Sequence, residues 1–496
     1  MSTTAIRTSG PLLDTEVFAG RIFLDGEWVP GGGGETASVE PATGETLTVV
    51  GIADAADVAR AAEGAAKAQK EWAALPHPAR AAVLRRAGAL WEEHAEEIGL
   101  WNTREVGAIP PLAGFALHVT AAECYEASSL PSAPRGSVLS SEEPRLSLAE
   151  QMPVGVVGVI SPFNVPLILG IRAVAPALAL GNAVLLKPDP RTVVTGGVSM
   201  VRIFEEAGLP AGVLQLVPGG ADVGEAMIAD PRVRVIAFTG STRAGRAVGE
   251  LAGRHLTRAH LELGGNSAYI VRADADVDKA VNLATWGAFL HQGQICMTVG
   301  RHIVHESIFD EYVDKLAAKA ESMHVGDPAA GQVHLGPLID EVQRDRVHTL
   351  VQDAVAQGAQ LRAGGTYDQL FYRPTVLAHT PKDAAAYCDE VFGPVASVVS
   401  FATDDEAVAL ASDTDYGLSL GIVTADVFGG LELARRIPTG IVHINDQTVN
   451  DEANAPFGGT GSSGTGSRHG GAQANIDAFT ETRWITLRRE PGQYPL

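Results

Sequence analysis

From Pro153 onward the chain alternates short runs rich in Val, Ile and Leu, of which Val154 to Ile160 is continuously apolar, with helical stretches. Val154 to Ile160, Ala183 to Lys187, Val213 to Val217 and Val233 to Phe238 lack the in–out alternation of a half-solvated strand. A strand that is apolar at every position must be covered on both faces. In a chain of alternating strands and helices, that means a parallel sheet between helical layers. The spacing predicts helices from Pro166 to Leu180, near Gly196 to Ala207, and from the turn Thr239-Gly240-Ser241 to Ala252. A second α/β unit is expected from about Ser267 to Phe457. Its strands are Ser267 to Val271, His302 to His305, Ala396 to Phe401, Gly421 to Thr424 and Gly440 to Ile444, and its helices include Ser307 to Ser322 and Asp340 to Gln357. Sheets of this kind bind ligands outside the carboxyl ends of their strands. Candidate functional residues are therefore sought where each run ends.

The rest of the chain frames these units. At 496 residues there is room for two or three domains. Arg21 to Val29 reads as two strands around Asp25-Gly26, and Pro41 to Gly44 as a turn. Ala-rich helices are expected over Ala55 to Ala74, His77 to Leu100 and Ala113 to Leu130. Pro131 to Gln151 reads as a hairpin standing away from the helices, suited to an oligomer contact. After the Gly- and Ser-rich stretch Gly458 to Gly471, Ala478 to Arg488 is expected to form one last strand that pairs with this hairpin or a partner's. No repeat of fixed period is present.

The formal net charge is −22, which argues against nucleic acid and anionic membrane surfaces as partners. A phosphate-bearing ligand remains open, because backbone amides hold phosphate without net positive charge. Three cysteines, Cys124, Cys296 and Cys388, exclude a disulfide scaffold and suit a reducing compartment. No apolar run is long enough to span a membrane, and Met1 to Gly20 lacks the apolar core of a signal peptide. The expected location is the cytoplasm.

Each candidate residue has two readings when taken singly. Cys296, in Gly293-Gln294-Ile295-Cys296, is either a nucleophile that glycine makes approachable or a buried structural thiol. Glu262 ends a strand in Glu262-Leu263-Gly264-Gly265, as a general base or a plain surface carboxylate before a turn. Asn164, in Ser161-Pro162-Phe163-Asn164-Val165-Pro166, can donate to an oxyanion or cap the helix that follows. Lys187-Pro188 ends a strand, either to hold ribose or phosphate or simply as a solvated end. Gly240 to Gly245 opens a helix in a way that suits a pyrophosphate, although it is not the G-x-G-x-x-G fingerprint. Glu390-Val391-Phe392-Gly393-Pro394 is a ligand loop or a turn. There is no H-E-x-x-H and no paired Cys-x-x-Cys, and the 14 histidines are scattered, so no metal is expected.

The order of these motifs is informative where each alone is not. The Asn164 loop, Lys187-Pro188, Phe238-Thr239-Gly240-Ser241, Glu262-Leu263-Gly264-Gly265, Gly293 to Cys296, Glu390 to Pro394 and Pro456-Phe457-Gly458-Gly459 together resemble the aldehyde dehydrogenase superfamily over nearly the whole chain. The resemblance implies an NAD(P)-binding domain over 1–130 and 151–263, a catalytic domain over 264–460, and an oligomerisation arm over 131–150 and 472–492. It implies a homodimer or homotetramer. It also implies oxidation of an aldehyde to its acid, with Cys296 as nucleophile, Asn164 and the Cys296 amide as oxyanion donors, and Glu262 as the base that activates water. The dinucleotide would meet Ser161, Pro162, Phe163, Lys187, Pro188, Arg191, Gly220, Phe238, Thr239, Gly240, Ser241, Gly245, Leu263, Gly264, Glu390 and Phe392.

One departure bears on the cofactor. Many NAD-specific members carry Glu three residues after this lysine, where Pro190 stands here, followed by Arg191. NAD is the implied cofactor, with NADP admitted. The segments Lys187 to Thr192 and Ile444 to Glu452 resemble the benzaldehyde, vanillin and salicylaldehyde dehydrogenase group, which implies an aromatic aldehyde substrate. Leu169, Arg172, Leu290, Ile295, Met297, Val449 and Phe457 are the expected substrate contacts, with Arg172 facing a ring substituent or else solvent. The alternatives are an aliphatic aldehyde or semialdehyde, transfer to coenzyme A, and a non-catalytic binding protein of the same fold.

Overall fold

A computed structural model describes residues 11–495, and these contain two seven-stranded sheets, each between helical layers. In the first sheet the strands run Arg258–Glu262, Val233–Thr239, Val156–Ile160, Ala183–Lys187, Leu214–Leu216, Arg21–Leu24 and Glu27–Pro30. The first five are mutually parallel, and the N-terminal hairpin closes the edge antiparallel. Val156–Ile160 and Ala183–Lys187 are buried at every position, as continuous apolar runs require. Strand order reverses direction at Val156–Ile160, so a crevice opens beside the carboxyl ends of that strand and Val233–Thr239.

The second sheet runs Gln360–Ala363, Thr375–Ala378, Val395–Phe401, Val299–His305, Ser267–Val271, Ser419–Val423 and Ile441–Ile444, parallel except for its first strand. A third, smaller sheet joins Gly136–Leu139, Leu146–Pro153 and Thr480–Leu487 in antiparallel register, from Thr480 opposite Pro153 to Leu487 opposite Leu146. The expected pairing of hairpin and final strand is therefore made within one chain.

Several expected elements differ in extent. The helix expected over His77 to Leu100 is two, His77–Glu93 and Ala95–Val106, divided at His94 (φ −99°, ψ 17°). The helix expected from Ala113 starts at Pro110, because the Pro110-Pro111 pair is preorganised for a first turn that needs no N–H donors. The helix expected from Gly196 begins as a wide π turn, Val194–Val198, before Ser199–Glu206. Its first amides, Val194 and Thr195, donate to the buried Glu105 carboxylate. Residues 472–479, expected within the arm, form the helix Ala472–Phe479, whose Ala478 and Phe479 belong to the core of the first sheet. Among the described residues no helix is long and apolar enough to cross a membrane.

Candidate active site

The loop from Leu290 to Cys296 joins the helix Val277–Phe289 to the strand Val299–His305. His291, Gln292 and Gly293 follow one another in the left-handed region, at φ 52°, 57° and 66°. Two non-glycine residues there are costly and persist only where neighbours over-determine them. His291 Nε2 sits 2.7 Å from the Asn164 carbonyl oxygen, and burial, opposed by that contact, lowers its pKa to about 4. Gln292 Nε2 donates to the Gly107 and Pro337 carbonyls, and Ile339 N donates to Gln294 Oε1. Gly293 packs so tightly against the Gly393 carbonyl that a Cβ would overlap it. The loop thus presents Cys296 half-buried, with its thiol free and its backbone N–H making no backbone hydrogen bond among the described residues. Burial pushes the thiol up to about 12. The Glu390 carboxylate adds to this, Arg172 opposes it, and Glu262 adds further.

Asn164 does not cap the following helix: Val165 holds that position, without a side-chain cap. Its buried Nδ2 instead donates 2.8 Å to the Gln294 carbonyl, two residues before the thiol. An amide NH₂ carries two hydrogens. One anchors the side chain to the cysteine loop, and the other remains for an oxyanion.

Glu262 is the last residue of Arg258–Glu262 and is buried, and neither carboxyl oxygen accepts a hydrogen bond of ordinary geometry. Burial pushes its pKa up to about 8 against the opposing charges of Arg172 and Arg468. The Gly- and Ser-rich tail folds back over it: Gly464 bridges Glu262, and Leu263 N donates to Ser463 O. Gly264 and Gly265 then let three motifs converge. A Cβ on Gly264 would overlap the Glu390 carboxyl, and one on Gly265 would overlap the Cys296 carbonyl oxygen. Gly265 N donates to Glu390 Oε1 at 2.9 Å, and burial, opposed by this bond and by Arg346, raises Glu390 to about 7.

The expected substrate contacts fall into two sets. Leu290, Ile295, Met297 and Phe457 form one apolar cluster with Ala108, Ile109, Leu112 and Leu418, and Cys296 and Val449 pack against it. Ala108, Ile109 and Leu112 carry no signal in the sequence, because they lie far away in the chain, just before and in the first turn of the helix Pro110–Ala127, which has no motif. Leu169 is half-buried outside this cluster. Arg172 is not turned to solvent. It is buried, ion-paired with Asp451 and 3.7 Å from Glu123, and its guanidinium lies 4.2 Å from the Phe457 ring centre. Burial alone would lower its pKa, but Asp451, then Glu123, Glu262 and Cys296 outweigh this and hold it raised.

The expected dinucleotide contacts line the crevice of the first sheet. Ser161 Oγ is buried without a partner. Lys187 is buried at its strand end, which lowers its pKa against the pull of Asp189 and Asp222. Ser241 caps the helix Thr242–His255 through Ala244 N (3.3 Å), and Gly240 N is taken by the Glu262 carbonyl. Phe238, Thr239, Leu263 and Gly245 pack behind that turn; a Cβ on Gly245 would overlap Leu263. Pro162, Phe163 and Pro188 flank the ends of Val156–Ile160 and Ala183–Lys187, and Gly220 precedes the helix Ala221–Ala229. The Phe163 and Phe392 rings meet edge-on at 5.9 Å. Arg191 stands apart in function: its guanidinium is already taken by Asp189 and Asp340. Among the described residues no cluster of three or more His, Cys, Asp and Glu side chains could hold a metal ion.

Known proteins share this arrangement. Residues 28–485 match the aldehyde dehydrogenase family. The chain is 63% identical over 483 residues to a vanillin dehydrogenase of an Amycolatopsis species, covering 97% of this chain and 99% of that one. It is 48% identical to the NAD(+) benzaldehyde dehydrogenase of Pseudomonas putida, over 97% of this chain and 98% of the relative. The crystal structure of a salicylaldehyde dehydrogenase from Pseudomonas putida G7, complexed with salicylaldehyde, superposes with a TM-score of 0.93 at 35% identity, over 96% of this chain and 99% of that one. With a free thiol, an unpartnered buried carboxylate and an amide donor set around one loop, and with a family match over nearly its full length, the chain belongs to the aldehyde dehydrogenase family.

Proposed function

We propose that this protein oxidises an aromatic aldehyde, benzaldehyde-like in shape, to its carboxylic acid with NAD as acceptor. The observation that carries the substrate class is the apolar cluster around Cys296, built from Ile109, Leu112, Leu290, Ile295, Met297 and Phe457. It is supported by the vanillin and benzaldehyde names of relatives at 63% and 48% identity.

The first sheet's crevice fits a dinucleotide. It offers an orphaned buried hydroxyl at Ser161, a buried Lys187 amine, and the exposed first turn of the helix Thr242–His255. First-turn amides and the helix dipole suit a pyrophosphate. The residues that would hold it are Ser161, Lys187, Ser241, Glu390 and Phe392. Arg191 is satisfied by two carboxylates, which favours NAD over a 2′-phosphorylated form.

In the reaction, Cys296 Sγ attacks the carbonyl carbon after giving up its proton to Glu262 as base. The second Asn164 amide hydrogen and the Cys296 N–H stabilise the oxygen as it gains charge. A nicotinamide held there would supply the hydride acceptor that the oxidation of the Cys296 adduct to a thioester needs. Glu262, having released the cysteine proton to solvent, then takes a proton from water as it attacks the acyl carbon and passes it to the departing sulfur, which frees the acid and restores the thiol.

The domain expected over 1–130 and 151–263, whose residues 1–10 lie outside the described residues, serves the dinucleotide, and 264–460 carries the nucleophile. The small sheet exposes Val138, Leu146, Trp484 and Leu487, a set suited to burial in a homodimer or homotetramer. Three free cysteines fit a cytoplasmic setting. Initial rates on benzaldehyde, vanillin, salicylaldehyde, propanal and succinic semialdehyde, each with NAD and NADP, test this reading. Highest kcat/KM is expected on a ring aldehyde with NAD, and a preference for propanal or the semialdehyde would refute the substrate class.

A further inference from the structure

Arg191 joins the two α/β units at the rim of the crevice. Its Nε and Nη2 fork onto Asp189 at 2.9 and 2.8 Å, and Nη1 donates 2.6 Å to Asp340 Oδ2. Its guanidinium also lies 4.2 Å from the Phe163 ring centre. Isolated half-exposed ion pairs contribute little. This one is forked, shared between two carboxylates and stacked on a ring, which fixes its geometry.

Asp340 does two things at once. Its Oδ1 accepts the Gln343 amide, capping the helix Glu341–Ala356, while its Oδ2 takes Arg191. The first turns of that helix hold three successive carbonyls of the 390–392 loop. Gln343 Nε2 donates to Phe392 O at 2.8 Å and Val391 O at 3.2 Å, and Arg346 donates to Val391 O at 2.7 Å and Glu390 O at 2.6 Å. Phe392 needs this support, because its φ of 55° is strained for a bulky residue. From the other side its ring meets Phe163, which lies under Arg191.

We infer that Arg191 is a positioning residue: through Asp340 and the helix Glu341–Ala356 it sets the place of the Glu390–Phe392 loop against the first sheet. It thereby joins the two halves of the dinucleotide site without touching a phosphate. This rests on the NAD reading above. The two carboxylates leave the corner with a net negative charge, the opposite of what a 2′-phosphate would require.

The test is a double-mutant cycle on the full chain with Arg191→Gln, Asp340→Asn and both together. Asn caps a helix as well as Asp does, so Asp340→Asn removes the latch while keeping the helix start. It carries the test if Arg191→Gln fails to fold. NAD and NADP binding are read by titration calorimetry, and hydrogen exchange of the 390–393 amides is followed without cofactor. Each single variant is expected to weaken NAD binding about tenfold, and the pair together no more than either alone. Loop exchange should quicken in both singles. Full additivity, or unchanged loop exchange, would overturn the latch. So would a loss confined to NADP in Arg191→Gln with a gain in NADP affinity in Asp340→Asn, because that result would make Arg191 a phosphate ligand. A wild-type protein that bound neither dinucleotide would refute the functional reading itself, and the latch with it.

Discussion

Arg172 pairs with Asp451 while its guanidinium lies 4.2 Å from the Phe457 ring centre, so one buried cation ties the helix Pro166–Ala179 to two segments of the C-terminal part. Glu123, raised by burial to about 7 against the opposing charge of Arg172, completes the group from the helix Pro110–Ala127. Removing one partner of a buried ion pair leaves the other uncompensated, at a cost of about 3–5 kcal/mol. Arg172→Ala is therefore expected to lower the melting temperature markedly and to reduce kcat/KM for benzaldehyde and propanal by similar factors. A loss confined to benzaldehyde would restore a direct contact between Arg172 and the ring.

The Asn164 amide separates transition-state binding from substrate binding. It is anchored on the Gln294 carbonyl and does not belong to the apolar cluster around Cys296. Asn164→Ala is expected to lower kcat by about 10²–10³ with little change in KM for the aldehyde. Stopped-flow measurement of the first turnover checks this, and a rise in KM at constant kcat would assign Asn164 to substrate binding instead.

Glu262 sets the pH profile. Burial raises it to about 8, so it is largely protonated at neutral pH and its basic form grows as pH rises through that value. Release of acid from the thioester should therefore accelerate with pH and level off above about 8. Glu262→Gln should abolish this limb and make the acyl form accumulate, which mass spectrometry of quenched enzyme detects. An unchanged pH limb in Glu262→Gln would assign the titration to another group.

The strands were legible because each carries its own signal. Ala183–Lys187 and Ser267–Val271 are dominated by apolar residues and are buried at every position, with both faces covered. Helix ends were less legible. The π turn at Val194–Val198 depends on a group distant in the chain, the Glu105 carboxylate. The tail Gly458 to Gly471 had the composition of a linker, yet it closes over Glu262 because Gly464 and Ser463 complete backbone bonds that the strand Arg258–Glu262 leaves open.

The order of motifs along the chain determined the family and singled out Cys296, Glu262 and Asn164 as the candidate reactive residues, because local patterns around strand ends are written in contiguous residues. Side-chain commitments were decided only in three dimensions. Arg172 and Arg191 both read as free cations facing a ligand, yet each also meets a carboxylate remote in sequence, Asp451 and Asp340. A buried or half-buried guanidinium is held by whatever acceptors packing brings to it. No local pattern reveals those partners before the fold has brought them together.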